Sequence, residues 1–376
     1  MSEVYIGLMS GTSLDGVDGV VVAFQPRATG APDRSLTVLA HAHRPFDAAL
    51  AGELLALNSP GENELHRAAL AGNAVACVYA DVVHDLLRAS GIAAESIEAI
   101  GAHGQTVRHR PHDFDATGYT VQLINAALLA ELTGIDVVAD LRSRDVAAGG
   151  QGAPLVPAFH RAVFGRIGET TAVLNIGGIS NLTALQADGG TTGFDCGPGN
   201  ALMDFWCQRH TGEPFDDAGA WAASGKVIDE LLTAMRSEPY FQRTPPKSTG
   251  RDLFHPTWLA THVGAWNVRD AQDIQAPLAE LTASVCADAV LRGAPGAKEL
   301  LVCGGGALNT HLMGRLQARL PGMTVFETGA RGLPASQVEA IAFAWLARSF
   351  VRREPVNLGP VTGARGPRLL GALHPA

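Results

Sequence analysis

The feature that most constrains this chain is an opening that occurs twice. Residues 4–8 form an apolar run, Ser10-Gly11-Thr12-Ser13 reads as a turn, and residues 17–24 form a second apolar run. At Thr171 the pattern restarts: an apolar run at 172–176, a turn at Gly177-Gly178-Ile179-Ser180-Asn181, and a returning run at 182–185. Two strand–turn–strand openings about 165 residues apart point to an internal duplication. A third glycine turn, Cys303-Gly304-Gly305-Gly306-Ala307, follows the apolar run 299–302 and precedes a helical pattern. Apolar residues from Leu65 to Leu87 keep helical spacing, and Gly91 suits the left-handed position that ends such a helix. Strands alternating with helices imply an α/β fold of mixed sheets covered by helices.

Composition narrows the function. At 376 residues the chain is long enough for two domains with sizeable cores, and 47% hydrophobic against 17% charged residues excludes intrinsic disorder as its main state. A formal charge of −9 argues against nucleic-acid partners, which need a basic face. Only Lys226, Lys247 and Lys298 are lysines, and no Gly-Lys-Ser/Thr loop occurs. No dinucleotide glycine fingerprint, zinc-protease motif or serine-nucleophile elbow is present, and the 13 histidines show no metal-ligand spacing. Five cysteines without a CxxC pair fit a reducing compartment. With no apolar leader and no uncharged stretch of about 18 apolar residues, a cytoplasmic protein without a membrane span is expected.

Glycine turns after buried strands let backbone N–H groups converge on an anion. Three in one chain favour a phosphate-holding site, although each alone is also an ordinary tight turn. In the first, Thr12 and Ser13 add hydroxyls while Asp15 and Asp18 add carboxylates, a set suited to a magnesium-bound polyphosphate. Asp15 and Asp18 are equally compatible with plain turn chemistry. Asp195, in the small-residue run 193–200, is placed on a tight turn entering a helix at 201–210, where it is a candidate general base or a turn residue; Asn200 is the better helix cap by position.

Together these segments resemble one family, the anhydro-N-acetylmuramic acid kinases of bacterial cell-wall recycling. The resemblance rests on residues 9–18 (MSGTSLDGVD), 102–106 (AHGQT), 140–142 (DLR), 150–157 (GQGAPLVP), 174–181 (LNIGGISN), 195–200 (DCGPGN) and 303–306 (CGGG), in order along the whole chain. It implies a two-lobed actin-like ATPase (ribonuclease H-like) fold shared with hexokinases, with a nucleotide cleft between a lobe at 1–165 and one at 166–376, the last helix being free to pack back on the first. It makes Gly11, Thr12, Ser13, Leu14, Asp15, Gly16, Val17 and Asp18 the first phosphate motif. Asn175, Gly177 and Gly178 belong to the second, and Gly304, Gly305 and Asn309 to the adenosine pocket. Asp195 matches the catalytic aspartate; Cys196 stands where a threonine is expected in many relatives.

The implied reaction uses ATP and Mg2+ to open the 1,6-anhydro bridge of the sugar with water and to phosphorylate the released 6-oxygen. Asp195 deprotonates the water, and Asp15 or Asp18 is the candidate magnesium ligand. Arg142, beside Asp140, could fork onto the lactyl carboxylate or simply pair with Asp140. His103, Gln105 and Thr106 are candidate sugar contacts. Glu339 is read first as part of a Ser336-x-x-Glu339 capping box and second as a site residue. A homodimer is what the resemblance suggests. The alternatives are a conventional N-acetylhexosamine kinase and a nucleotide-switched actin-like binding protein.

Overall fold

The computed structural model describes residues 2–25, 36–250, 253–264 and 270–376. The chain divides into two compact units, one made of Met1–Val163 with Gln337–Ala376, the other of Phe164–Ser336. The last forty residues therefore run with the first unit, outside the second-lobe range to which a boundary at 165/166 assigns them.

In the first unit β1 (Glu3–Met9) pairs antiparallel with β2 (Gly16–Phe24), which pairs antiparallel with β3 (Leu36–Pro45). On its other side β1 runs parallel to β4 (Ala99–Ala102), and β4 parallel to β7 (Val137–Ala139). An antiparallel β13 (Ala372–His374) closes that edge, and β5 (Gln105–Pro111) with β6 (Gly118–Leu123) forms a separate ribbon.

In the second unit β8 (Thr171–Ile176), β9 (Ile179–Leu185) and β10 (Thr191–Pro198) form the antiparallel meander. There β8 runs parallel to β11 (Glu299–Cys303), and β11 to β12 (Thr324–Glu327). Each unit is thus built on the same five-strand plan, a three-strand meander followed by two parallel strands. That duplicated plan of two mixed sheets flanked by helices is the α/β architecture expected from the repeated opening.

Parallel strands covered on both faces must be apolar on both, and β1 shows how this is met. Ile6 and Leu8 join the core beneath the helix Glu64–Ser90, with Val17 and Val21 of β2 and Val75, Tyr79, Val82 and Leu86 of the helix. The alternate residues Tyr5 and Gly7 face the helix Val338–Val351. Glycine is needed there because a Cβ on Gly7 would run into the carbonyl oxygen of Ala340, and one on Gly101 of β4 into that of Phe343. The helix backbone rests directly on the sheet. Arg348, 1% exposed, lies 4.9 Å over the Phe24 ring and donates to Glu3 at 3.1 Å, while Arg352 donates to the same carboxylate at 2.7 Å.

Several local expectations change. The Glu64–Ser90 helix does end on Gly91, at φ 68°. The second turn is only Gly177-Gly178, because Ile179 already pairs in β9. Asp195 lies inside β10 rather than on a turn, opposite Asn181 and beside a register shift before Gly197. Asn200 stands at the N-cap of the helix Ala201–Thr211 without side-chain capping; its amide donates instead to the Ile176 carbonyl at 3.2 Å. Gln337, whose own side chain makes no cap bond, occupies the N-cap of the helix Val338–Val351, one residue after the Ser336 start that the capping box implies. Among the described residues, the helices Glu64–Ser90 and Gln272–Gly293 are long and apolar enough to cross a membrane. The second is buried along most of its length and the first along its sheet-facing stripe, as core helices are.

Gly101→Ala is expected to cost about 1–3 kcal/mol through overpacking against the Phe343 carbonyl. In urea unfolding the midpoint should fall while the slope stays unchanged; a variant with the original midpoint would refute the close contact.

Candidate active site

In the first unit the loop joining β1 to β2 is short because β2 starts at Gly16. Leu14 takes the left-handed conformation at φ 61°, its N–H closing on Gly11 O at 3.3 Å, and Gly16 admits no Cβ because one would strike the Arg44–Pro45 backbone. Thr12, Ser13 and Asp15 are exposed, and Ser13 donates to Asp15 at 2.6 Å. Val17 is fully buried, and Leu14 packs its side chain against the core. Asp18 projects from β2, where one carboxylate oxygen lies 3.2 Å from both His41 Nε2 and His43 Nδ1.

This loop is held from below by buried polar groups. Ser10 Oγ donates to Gly104 O at 3.1 Å, so the Tyr79 hydroxyl, 2.8 Å away, donates to Ser10. Gln105, fully buried, donates its amide to Gly11 O at 3.0 Å. The edge of Arg142 donates through Nε and Nη2 to His103 Nε2, at 3.0 and 2.8 Å. A ring nitrogen that accepts from a guanidinium carries no proton, so His103 is the neutral Nδ1–H tautomer and donates to Ser10 O at 3.1 Å. Burial, with the Arg142 charge added, pushes the imidazole down to about 3.

Arg142 thus uses its fork on His103, and its Nη1 donates to Gly152 O at 2.8 Å. Asp140, exposed and at φ 50°, accepts from Ser143 N at 3.4 Å. The carboxylate that braces the 150–152 loop is Asp145, which sequence reasoning did not single out. It accepts from Gly152 N at 2.7 Å and from Thr362 at 2.9 Å, and burial raises its proton affinity. Thr106, at the start of β5, accepts from Gln122 at 3.2 Å. Glu339 lies in the first turn of the Val338–Val351 helix.

In the second unit the Gly177-Gly178 hairpin supports the start of the next helix. Gly177 O accepts from Asn200 N at 2.8 Å and Gly178 O from Gly199 N at 2.9 Å, an approach that a Cβ on Gly199 would block. Gly304, at φ 81°, packs against Asn175 Oδ1 and the Ile176 backbone where no side chain would fit. Asn175 is itself buried, and Gly305 opens the short turn that leads to Asn309. Asn309 caps the helix Thr310–Arg319, its side chain accepting from Leu312 N at 2.9 Å.

Asp195 is half-buried and held at three points. Its carboxylate accepts from Thr249 N at 3.0 Å, its N–H donates to Lys247 O at 3.3 Å, and its carbonyl accepts from the Tyr240 hydroxyl at 2.8 Å. Tyr240, Lys247 and Thr249 escaped sequence reasoning; the one available signal was a lysine in a chain that otherwise uses arginine. Among the described residues no three or more His, Cys, Asp or Glu side chains converge as a metal cage.

The neutral His103 has a thermodynamic consequence shared with His160, which burial also pushes down to about 3. The unfolded chain binds protons at both below pH about 6.5, whereas the folded chain does not until about 3. Stability is therefore full above 6.5 and falls by about 1.4 kcal/mol per pH unit per histidine on the way down. Urea unfolding from pH 7.5 to 4.5 should show that slope, and the His103 ring signals should stay flat over the same range. Titration near 6.5 would contradict the Arg142 arrangement.

A family model described as anhydro-N-acetylmuramic acid kinase matches residues 3–376. The anhydro-N-acetylmuramic acid kinase of Variovorax paradoxus (strain S110) is 61% identical over 379 residues, covering 100% of this chain and 99% of that one. The protein of the same name from Albidiferax ferrireducens is 59% identical over the full length of both. Among solved structures, the activator of the 2-hydroxyisocaproyl-CoA dehydratase from Clostridium difficile with bound ADPNP gives a TM-score of 0.47 at 13% identity, over 94% of this chain and 96% of the other. A match to the family model over nearly every residue, with relatives this similar from end to end, makes the chain a member of the anhydro-N-acetylmuramic acid kinase family.

Proposed function

We propose that Asp195 is the general base with which this kinase opens 1,6-anhydro-N-acetylmuramic acid and phosphorylates it at the 6-oxygen. The observation that carries the reading is the three-point hold on Asp195, which aims one carboxylate from a strand that cannot swing. The anhydro bridge leaves no free 6-hydroxyl to phosphorylate. Water must form a bond to the anomeric carbon as the bond from that carbon to O6 breaks. Asp195 takes the water's proton, and O6 takes the γ-phosphoryl group of ATP, releasing ADP. Ordinary glycoside hydrolysis needs a second carboxyl group to protonate the leaving oxygen; here the phosphorus captures it, so a single base suffices.

The exposed Thr12 and Ser13 hydroxyls and the N–H groups of the first loop suit phosphate oxygens. The neutral His103, locked by Arg142, keeps that loop in shape. Gln105 supports the same loop through Gly11, and Thr106 follows it in sequence towards the sugar. Asn175, Gly177 and Gly178 would take the second share of the phosphates, and Gly304, Gly305 and Asn309 the adenosine, with the Asn309 amide nitrogen as its polar contact. Asp140 and Glu339 remain candidates for the sugar. Mg2+ fits this protein as an ion carried mainly by phosphate oxygens and water, with Asp15 or Asp18 as its carboxylate, and would neutralise the developing charge. The reaction salvages cell-wall sugar in the cytoplasm, where a homodimer is the working assembly.

Replacing Asp195 by Asn should lower kcat about a hundred- to ten-thousand-fold. With ATP, magnesium and the anhydro-sugar in oxygen-18 water, the wild type should give a 6-phosphorylated sugar carrying one solvent oxygen at the anomeric position. Wild-type rates in the variant, or product without solvent oxygen, would overturn the mechanism.

A further inference from the structure

We propose that Lys247 is a positioning residue for Asp195, holding the segment that clamps the aspartate and placing a positive charge beside it that keeps the carboxylate ionised. The proposal rests on the general-base reading of Asp195. Of 28 basic residues only three are lysines; Lys226 and Lys298 are exposed, whereas Lys247 is 8% exposed. A flexible cation pays most to be buried, so a lysine kept there needs partners. Lys247 has them: Nζ donates to Tyr240 O at 3.3 Å and lies 4.6 Å from the Tyr240 ring centroid and 5.7 Å from that of Phe194. A desolvated ammonium over aromatic faces is held in place.

Its neighbours are the ones that clamp the base. Phe194 precedes Asp195 in β10, and Tyr240 donates its hydroxyl to the Asp195 carbonyl. The Lys247 carbonyl accepts from Asp195 N, and Thr249, two residues on, donates to the carboxylate. Lys247 thus bonds Asp195 through its backbone and, through its side chain, rests on Tyr240 and Phe194, two neighbours of the base.

The charged and titratable groups around Lys247 are Asp195 and Cys196 on β10, Arg243 beyond Tyr240, and Arg292 at the end of the helix Gln272–Gly293. Burial lowers the proton affinity of the ammonium, the two arginines lower it further and Asp195 raises it, for a net decrease. Burial keeps the Cys196 thiol protonated, which leaves Asp195 as the anion that Lys247 faces. By the same coupling, the ammonium makes Asp195 harder to protonate.

The test uses the full-length enzyme with ATP, magnesium and the anhydro-sugar, reading kcat, both KM values and the pH profile of kcat for Lys247→Met, Lys247→Arg and Asp195→Asn. Lys247→Met should lower kcat about tenfold or more with both KM values within about threefold, and should move the acidic limb up by about half a pH unit. Lys247→Arg, which keeps its charge at every accessible pH, should hold the acidic limb near wild type and push the alkaline limb upward. A folded Lys247→Met with wild-type kcat and limbs overturns the proposal, as does Lys247→Arg with an unshifted alkaline limb. If Lys247→Met fails to fold, the Lys247→Arg limb decides alone. Full turnover in Asp195→Asn overturns the base reading and this inference with it, whereas loss there beside an unaffected Lys247→Met overturns this inference only.

Discussion

The first unit depends on how closely one helix lies on its sheet. At Gly7 and Gly101 the backbone of Val338–Val351 touches strand backbone, with no side chain between. That contact fixes the height of the helix, and hence where Phe343 meets His103, their ring centroids 4.8 Å apart. His103 in turn holds the carbonyl of Ser10, at the head of the 10–16 loop. Packing in a protein interior leaves no slack to absorb a displaced layer, so the position of this helix is passed on to the shape of that loop.

The two units hold their key groups differently. The loop at 10–16 is supported by the uncharged side chains of Ser10, Tyr79, Gln105 and His103, the histidine kept neutral by burial first and by the Arg142 guanidinium second. Asp195 is held by the Thr249 and Lys247 backbone and by the Tyr240 hydroxyl, with the buried Lys247 ammonium resting on Tyr240. A cation beside Asp195 suits a group that must stay ionised until a proton arrives.

Much of this was legible in the chain. The repeated strand–turn–strand opening announced two related sheets because alternating turn chemistry and apolar runs are local properties. The motifs around Gly11, Gly177, Asp195 and Gly304 marked a family because they are contiguous. What escaped was non-local. Arg142 reads as an anion fork beside Asp140, while two of its nitrogens meet His103, 39 residues upstream in sequence. Ser336 and Glu339 spelled a helix start one residue ahead of the N-cap that Gln337 occupies. Lys247 carried no motif at all. Asp195 was assigned to a turn because glycine and proline surround it, whereas those residues serve a register shift within a strand.

The connectivity sets an order for building the molecule on the ribosome. The second unit is one uninterrupted stretch, Phe164–Ser336, and is complete while the end of the chain is still unsynthesised. Most of the first unit is made ahead of the second yet needs Gln337–Ala376, made after it, and until the Val338–Val351 helix emerges the Gly7 and Gly101 face of its sheet lacks the helix it lies against. Strands made before the second unit are therefore sealed only after it. For the length of an entire intervening unit the nascent chain carries an apolar sheet face in search of cover, the kind of surface that makes a growing polypeptide a client for chaperones.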